Sequence, residues 1–185
     1  LKIIANESRM PLTYGGGIKD VSQAIKVISL GYEKISISSS AIKNPKLISE
    51  IALEIGSQSV VVTIDYKPRR FNSGYNVFIN NGKRRVDLNP LEFCGKAVEL
   101  GAGEILFNSI DKDGTLTGYD LEFAKEARVK VKSQISFLGG AGNISHLQEL
   151  IDNVGIVGAA AGSIFVLKGS LRAVLLSYQR PTRLN

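Results

Sequence analysis

Residues 101–120, which read GAGEILFNSIDKDGTLTGYD, contain the stretch that decides the fold. Ile105, Leu106 and Phe107 form a short apolar run, the pattern of a strand that is buried on both faces. An Asp-Lys-Asp-Gly turn follows, and acidic residues around Asp120 then lead into an apolar-periodic segment that is typical of a helix start. The stretch predicts a strand, a polar loop and a helix, with chemistry at the carboxyl end of the strand.

The same order of strand, turn and helix recurs along the chain, about six times in all. The other predicted strands are residues 11–14, 34–38, 59–64, 134–138 and 155–161. The other predicted helices are residues 20–30, 45–55, 90–100 and 143–151, and residues 1–7 resemble the end of a further helix. A hairpin on an Asn-Gly turn interrupts the series between residues 66 and 88. Strands that alternate with helices predict an α/β fold with a parallel sheet, and we expect one domain over residues 1–185.

A direct repeat makes this prediction more specific. Shifting residues 13–39 by 124 positions, without a gap, places Gly15 on Gly139 and Ser39 on Ser163. Such self-similarity indicates a duplicated half-domain. It favours a (β/α)8 barrel of the TIM type, here incomplete with about six of the eight units, over an open doubly wound sheet.

The chain is basic, with a net charge of +6 and a pI near 9.4. The basic residues are scattered apart from one cluster beside the hairpin, which consists of Arg69, Arg70, Lys83, Arg84 and Arg85. We interpret this cluster as a solvated loop. A phosphorylated substrate or an acidic protein surface is the second interpretation, and nucleic acid is a distant third.

The single cysteine, Cys94, excludes a disulfide within one chain and fits a reducing cytoplasm. The sequence shows no signal peptide and no apolar run long enough to span a bilayer, so we expect no membrane partner. Cys94 is predicted to pack in a helix, and His146, the one histidine, is predicted to lie on a helix face.

Five motifs carry a resemblance to a known family: YGGGIKD, KISISSSAIKNP, GSQSVVVTID, GAGEILFNSIDKDGTLTGYD, and GGAG followed by AAGSIF. Over essentially its whole length the chain resembles the histidine-biosynthesis barrel family, and within it the cyclase subunits of imidazole glycerol phosphate synthase. The resemblance implies a (β/α)8 barrel that takes ammonia from a glutaminase subunit. With this ammonia the family cleaves and cyclises a small substrate that carries a phosphate at each end. It implies no cofactor and no metal.

Two anion sites are predicted at the repeated glycine turns. Backbone N–H groups of a glycine-rich turn and of a following helix start can hold a phosphate without any charged side chain. The first cradle is predicted to consist of Gly16, Gly17, Ser38 and Ser39. The second cradle is predicted to consist of Gly139, Gly140, Gly162 and Ser163. The alternative is that these glycines only form tight turns.

The resemblance also implies roles for charged residues. Asp65 matches one of the family's two catalytic carboxylates, and Asp113 matches a second functional acidic position, whereas Asp111 is better explained as a turn residue. Lys34 and Glu104 match two members of the charged ring through which ammonia enters the barrel. An ordinary solvated ion pair is the alternative for Lys34 and Glu104.

The sequence departs from the family pattern in two respects. The pattern begins with two further βα units, of which the first carries the partner catalytic aspartate, and we expect their absence to impair cyclase activity. Among predicted substrate-lining residues, Asn108 and Leu138 replace the usual Thr and Ser, Gly114 belongs to the acidic loop, and Ser38 stands where Asn is usual. These residues, together with residues 165–178 (FVLKGSLRAVLLSY), make the sequence similar to paralogues that act in the amidation of surface sugars.

Two expectations concern partners. A non-catalytic subunit that docks a glutaminase and conducts ammonia is the alternative to an enzyme. An incomplete barrel would leave edges at residues 11–14 and 155–161, with Val60, Val62, Ile105 and Phe107 or their neighbours open to water. We therefore expect a homo-oligomer joined through these edges, or coverage by terminal residues 1–7 and 179–185.

Overall fold

The computed structural model describes residues 1–70, 73–168 and 173–174. The described helices are α1 (Lys2–Glu7), α2 (Val21–Ser29), α3 (Ser39–Lys43), α4 (Lys46–Ile55), α5 (Pro90–Glu99), α6 (Leu121–Lys130), α7 (Ile144–Val154) and α8 (Ser163–Val166). The described strands are β1 (Thr13–Gly15), β2 (Lys34–Ile37), β3 (Val60–Pro68), β4 (Tyr75–Ile79), β5 (Arg84–Val86), β6 (Glu104–Ser109), β7 (Gln134–Leu138), β8 (Gly158–Ala159), β9 (Leu167–Lys168) and β10 (Ala173–Val174). The chain divides into two compact units, Leu1–Leu106 and Phe107–Asn185, with the boundary inside β6.

Six strands follow one another in the order β1-β2-β3-β6-β7-β8 and alternate with helices. The parallel pairing of β1 with β2 and β2 with β3 places their carboxyl ends at the same edge within the first unit, and the parallel pairing of β7 with β8 does so within the second. This arrangement confirms the predicted α/β fold, an incomplete barrel of the TIM type. That the whole chain is one domain stays a prediction.

In the first unit, β3 is longer than predicted. It continues past residue 64 to Pro68 because β4 pairs with it in the antiparallel direction, from Asp65 opposite Phe78 onward. The predicted hairpin of β4 and β5 is thus the outer part of a three-stranded antiparallel ribbon. Its turn is made by Asn80 and Asn81, which have φ of 55° and 57°, a conformation that Asn tolerates better than most side chains.

The second unit is built around three aromatic rings. The ring centroid of Phe107 on β6 lies 5.0 Å from that of Phe123 on α6 and 5.8 Å from that of Phe137 on β7. Asp120 caps the start of helix α6, where the helix start was predicted, and its side chain accepts a hydrogen bond from the N–H of Phe123. Strand β8 is shorter than predicted, because Gly155, with φ of 86°, ends α7 and the chain becomes extended only at Gly158.

The prediction that Val60, Val62, Ile105 and Phe107 are open to water is wrong, since each is 0% exposed. Successive side chains of a strand point to opposite faces, and these four lie on the apolar faces of β3 and β6. In the first unit α4 and α5 pack on β3. Among the alternate positions of these strands, Thr63, Asp65 and Glu104 are only half-buried and carry polar side chains. Self-association through β1 and β8, the end strands of the order, stays a prediction.

The repeated halves have the same order of elements. Strand β1, helix α2, strand β2 and helix α3 correspond to β7, α7, β8 and α8. Helix α3 was not predicted as a helix separate from α4. Of the family-like segment 165–178, residues 169–172 and 175–178 lie outside the described residues, as do residues 179–185. Within the described part, no helix has both the length and the apolar composition needed to cross a membrane.

Candidate functional site

The first cradle lies where two neighbouring strands end. Gly15 on β1 pairs with Ser36 on β2, so the turn at Gly16 and Gly17 and the segment that begins at Ser38 leave the sheet side by side. Gly16 and Gly17 have φ of 119° and 77°, which side chains rarely adopt, and both residues are exposed. The turn therefore requires glycine because of its backbone conformation.

The first glycine turn offers free donors next to open space. In the part of the chain that the structure describes, the N–H groups of Gly16 and Gly17 enter no backbone hydrogen bond. The turn borders a cavity of about 280 Å³, which Gln23 and Lys26 of α2 also line. The other residues that line this cavity are mostly apolar, among them Ile18, Val27 and Leu30, so it is the two backbone donors of the turn that suit an anionic ligand.

The tip of the β4–β5 hairpin reaches the same cradle. The N–H of Asn80 donates to Oγ of Ser39 at 2.9 Å, and Nζ of Lys43 donates to Oδ1 of Asn80 at 3.0 Å. The Ser39 oxygen is thus an acceptor toward the hairpin, which leaves its proton available to donate elsewhere. The hairpin orients a hydroxyl that the sequence predicts to bind phosphate.

The second cradle lies at the ends of β7 and β8 and is more tightly packed than the first. Phe137 pairs with Ala159, so the turn at Gly139 and Gly140 follows β7 beside the segment that leads to Gly162. A Cβ at Gly139 would meet the carbonyl oxygen of Ser109, 2.5 Å away, and one at Gly140 would collide with that of Gly118. These glycines are required by close contact as well as by φ values of 104° and 98°. Ser163, at the start of α8, is half-buried.

The second turn also has backbone N–H groups without a backbone acceptor among the described residues. The N–H groups of Gly139, Gly140 and Ala141 donate to no backbone acceptor among the described residues, although all three residues are buried. A buried N–H without a partner costs about 1–3 kcal/mol, so such groups are normally satisfied by a ligand or by water. Three successive backbone donors of this kind favour an anion over a cation.

The loop after β6 covers the second turn. The N–H of Gly118 donates to the carbonyl of Gly140 at 2.8 Å. The hydroxyl of Tyr119 donates to the carbonyl of Ala160 at 2.8 Å, and burial raises the pKa of Tyr119 to about 12. Tyr119 is 4% exposed, so this bond is shielded from water. The acidic loop is therefore tied to the segments that follow both β7 and β8.

The predicted carboxylates differ in environment. Asp65 is half-buried on β3, and Oγ of Ser38 donates to its Oδ2 at 3.4 Å. Asp113 is exposed in the acidic loop of the second unit, and its own N–H donates to the carbonyl of Ser109. Asp111 is exposed as well, at the start of the same turn. Asp65 is thus the carboxylate that the fold holds at a strand end.

Polar side chains follow one face of β2 in a row. Lys34 Nζ lies 2.9 Å from Glu104 Oε2, and the two side chains are 23% and 16% exposed. The next two positions on this face repeat the pairing. Their pairs are Ser36 with Thr63 at 2.6 Å, and Ser38 with Asp65 at 3.4 Å. The structure therefore brings the two predicted gate residues together and places Asp65 at the other end of the same row.

The remaining predicted residues are placed individually. Asn108 on β6 and Leu138 at the end of β7 are half-buried, and Gly114 forms the turn of the acidic loop with φ of 73°. Cys94 is fully buried on α5, and this burial raises the pKa of its thiol to about 12, which confirms a packing role. Among the described residues no group of three or more His, Cys, Asp or Glu side chains is placed to hold a metal ion.

Sequence reasoning missed a shared arrangement at the starts of α2 and α7. Each helix is capped by a side-chain oxygen, from Asp20 and Asn143 respectively, which accepts from the N–H three residues later. In each case the serine two residues after the cap donates its hydroxyl to the same oxygen, at 2.7 Å in α2 and 2.6 Å in α7. The signal is visible as Asp-Val-Ser-Gln and Asn-Ile-Ser-His, related by 123 positions rather than 124. The repeat thus slips by one residue between turn and helix, so the alignment without a gap is wrong there.

The profile of the family described as "Histidine biosynthesis protein" matches residues 1–172. The chain belongs to this family. It is 52% identical over 175 residues to a protein of Leptospira interrogans, provisionally named as imidazole glycerol phosphate synthase subunit HisF, with 95% of this chain and 69% of the relative covered. A provisionally named HisF subunit of Vibrio vulnificus (strain YJ016) is 45% identical over 179 residues, covering 97% and 69%. The HisF subunit of Clostridium botulinum (strain Langeland / NCTC 10281 / Type F) is 45% identical over 159 residues, covering 86% and 63%.

These relatives place the chain in an enzyme family of the HisF type and confirm the resemblance seen in the motifs. The matched region contains both cradles, the polar row along β2 and the acidic loop. The roles of individual residues in these features stay predictions.

Proposed function

We propose that this chain is a cyclase-type subunit that uses ammonia to cleave and cyclise a small substrate with a phosphate at each end. The observation that carries the proposal is the polar row along β2, which runs from the Lys34–Glu104 pair to Asp65. The groups of this row are half-buried and hydrogen-bonded to one another, so they offer donors and acceptors along one face of the strand. Family membership supplies the class of reaction.

In this proposal the two cradles bind the two phosphates. The N–H groups of Gly16 and Gly17, with the hydroxyl of Ser39, take one phosphate, and Lys26 adds a positive charge beside the same cavity. The N–H groups around Gly140, with Ser163, take the other. Backbone donors fixed in this way do not reorganise when the anion binds, which favours tight binding.

Asp65 is the proposed acid–base group. Its half-buried position on β3 and the hydrogen bond from Ser38 hold the carboxylate at the carboxyl end of a strand, where barrels of this type carry their chemistry. A carboxylate there can take and return protons during ring closure and carbon–nitrogen cleavage. Asp113, which is exposed in the acidic loop, is the second proposed participant.

Ammonia is proposed to arrive from a glutaminase subunit. It would enter beside Lys34 and Glu104 and follow the hydroxyl groups of Ser36 and Thr63 toward Asp65. Ammonia is small and both donates and accepts hydrogen bonds, so hydroxyls at successive positions of one strand face can pass it along. A docking subunit without chemistry of its own is not favoured, because such a subunit has no use for Asp65 at the end of the row.

The test replaces Asp65. With an ammonium salt as the ammonia source, Asp65→Asn is expected to lower the turnover of a nucleotide-like bisphosphate by ~10²–10⁴-fold, the usual contribution of an acid–base group. Asp111→Asn, an exposed carboxylate of the acidic loop, is the matched control and is expected to keep the wild-type rate. Circular dichroism checks that both variants fold. Unchanged turnover in Asp65→Asn would remove this residue from the mechanism.

Leu138 favours a second candidate substrate. It is half-buried at the end of β7, next to the second cradle, and supplies an apolar surface where the family usually has a hydroxyl. A phosphorylated sugar that receives an amino group, as in the surface-sugar paralogues, is that candidate. Comparing ammonia-dependent turnover of the sugar phosphate and the bisphosphate by the same chain decides between them.

A further inference from the structure

Beside each glycine turn, a helix side chain binds the backbone just after the turn. In the first half Oε1 of Gln23 accepts from the N–H of Lys19 at 2.8 Å. In the second half Nδ1 of His146 accepts from the N–H of Gly142 at 3.0 Å. Both acceptors occupy the third position of their helix, and their own N–H groups bind the capping oxygen. In each half, the capping side chain therefore accepts from the N–H of the third helical residue, and the side chain of that residue accepts from the N–H of the residue before the cap.

His146 contacts the second cradle from two directions. It fixes Gly142, which directly follows the three donors of the turn. Its ring also lies 3.8 Å from the position that a Cβ would occupy on Gly118, the residue whose N–H binds the carbonyl of Gly140. The ring thus lies beside both the turn and the loop that covers it.

The hydrogen bonds assign the state of the ring. Because Nδ1 accepts from Gly142, the proton of a neutral imidazole is on Nε2. The amide nitrogen of Asn143 lies 3.4 Å from Nε2; with the ring proton on Nε2 both groups are donors, so this contact is not a hydrogen bond. The imidazolium form carries a proton on both nitrogens and cannot accept the Gly142 N–H.

We propose that His146, as a neutral imidazole, is a positioning residue for the phosphate group bound in the second cradle. The proposal rests on the proposed function, in which that cradle binds one end of the substrate. Loss of the acceptor leaves the Gly142 N–H without its partner and lets the turn rotate its donors away from the anion. Gln23 has the same task at the first cradle, but an amide does not titrate, so only the second cradle becomes sensitive to acid.

Charged residues also lie on the elements beside the ring. They are Glu149 on α7, Asp111, Lys112 and Asp113 in the acidic loop, and Asp120, Glu122, Lys125 and Glu126 on α6, which packs against α7. Histidine is the side chain that ordinarily changes charge between about pH 5.5 and 8. A change of anion binding within that interval that His146→Gln abolishes therefore reports on His146, the one histidine of the chain.

The experiment follows the binding of inorganic sulfate, which keeps two charges throughout this pH interval, by amide NMR of the whole chain. The amides of Gly139 to Ala141 report on the second cradle, and those of Gly16 and Gly17 on the first. At pH 8, His146→Leu is expected to weaken sulfate at the second cradle by about five- to tenfold, since one hydrogen bond of the turn is lost. His146→Gln, which copies the acceptor of the first half, restores the wild-type affinity.

Gln23→Leu is the matched control. It is expected to weaken sulfate at the first cradle and leave the second unchanged. From pH 8 to 5.5 the wild type loses sulfate affinity at the second cradle severalfold, whereas His146→Gln does not. This comparison needs only variants that keep the acceptor, so it decides the question even if His146→Leu does not fold.

The outcomes separate the two proposals. Wild-type sulfate binding at the second cradle that is insensitive to acid, or that is matched by a folded His146→Leu, overturns the positioning role and leaves the proposed function intact. A wild type that binds sulfate at neither cradle overturns the two-phosphate function, and the role of His146 with it.

Discussion

The two glycine turns share their sequence but not their surroundings. At the first turn, a Cβ on Gly16 or Gly17 would meet no atom within 4 Å. At the second turn, backbone oxygens of Ser109 and Gly118 occupy the space where a Cβ on Gly139 or Gly140 would lie. The same Gly-Gly pair therefore satisfies two different demands. The first turn needs glycine for its conformation, and the second needs it for close backbone contact too.

The covers of the two cradles differ as well. The first is touched by a hairpin tip, through an exposed hydrogen bond from Asn80 to Ser39. The second is covered by the acidic loop, through the buried bonds of Gly118 and Tyr119. A duplicated half can thus keep its ligand-binding turn while the segment above it changes entirely, because the turn binds through its own backbone.

The largest expected effect separates the two turns directly. Gly140→Ala is expected to destabilise the chain by about 3 kcal/mol or more, because the methyl group collides with the carbonyl of Gly118 and φ is positive. Gly16→Ala, with strain but no collision, is expected to cost only about 1–2 kcal/mol. Urea unfolding of both variants measures the difference. Equal losses of stability would show that the close contact with Gly118 adds no cost beyond that of the positive φ.

A smaller effect tests the covers. Tyr119→Phe removes a buried hydrogen bond and leaves the carbonyl of Ala160 without it, which is expected to cost about 1–2 kcal/mol. Ser39→Ala removes the exposed bond to Asn80 and is expected to cost about 0.5 kcal/mol. Thermal unfolding of the two variants compares them. A larger loss of stability in Ser39→Ala would contradict the conclusion that the acidic loop is held to its cradle more tightly than the hairpin is.

The smallest effect concerns the helix caps at low pH. Hydrogen bonds, first from the hydroxyl of Ser22 and then from the N–H of Gln23, lower the pKa of Asp20. A lowered pKa means that the folded chain favours the carboxylate. This contribution to stability is complete above about pH 4 and is lost as the pH falls through the lowered pKa. The cap of α7 is the amide of Asn143, which has no such dependence.

Asp20→Asn provides the control for this effect, because it gives α2 the type of cap that α7 has. The free energy of unfolding of the wild type, relative to Asp20→Asn, is expected to decline as the pH falls below about 4. Urea unfolding at several pH values measures this difference. A difference that does not vary with pH would mean that the Asp20 carboxylate is not specifically favoured by the fold.

The acidic loop and the caps show how much of the site the sequence predicts. The strand of β6, the turn at Gly114 and the helix start at Asp120 are all where the local pattern predicts them. Such features depend on residues within one turn of each other, so local composition determines them. The acceptor role of His146 was missed although its signal is local, because only comparison at the slipped register of 123 exposes it.

By itself the sequence determined the alternation of strands and helices, the positions of the glycine turns and the family. Only the tertiary structure decided which face of β3 is apolar, since Val60 and Val62 could equally have faced either side until α4 and α5 packed on them. It also decided that β3 extends past Asp65, because a strand ends where its partner ends, and β4 is that partner. The physical reason is the separation along the chain of the residues that determine each feature. Turns and caps are fixed by neighbours in sequence, whereas burial and strand length are fixed by neighbours in space.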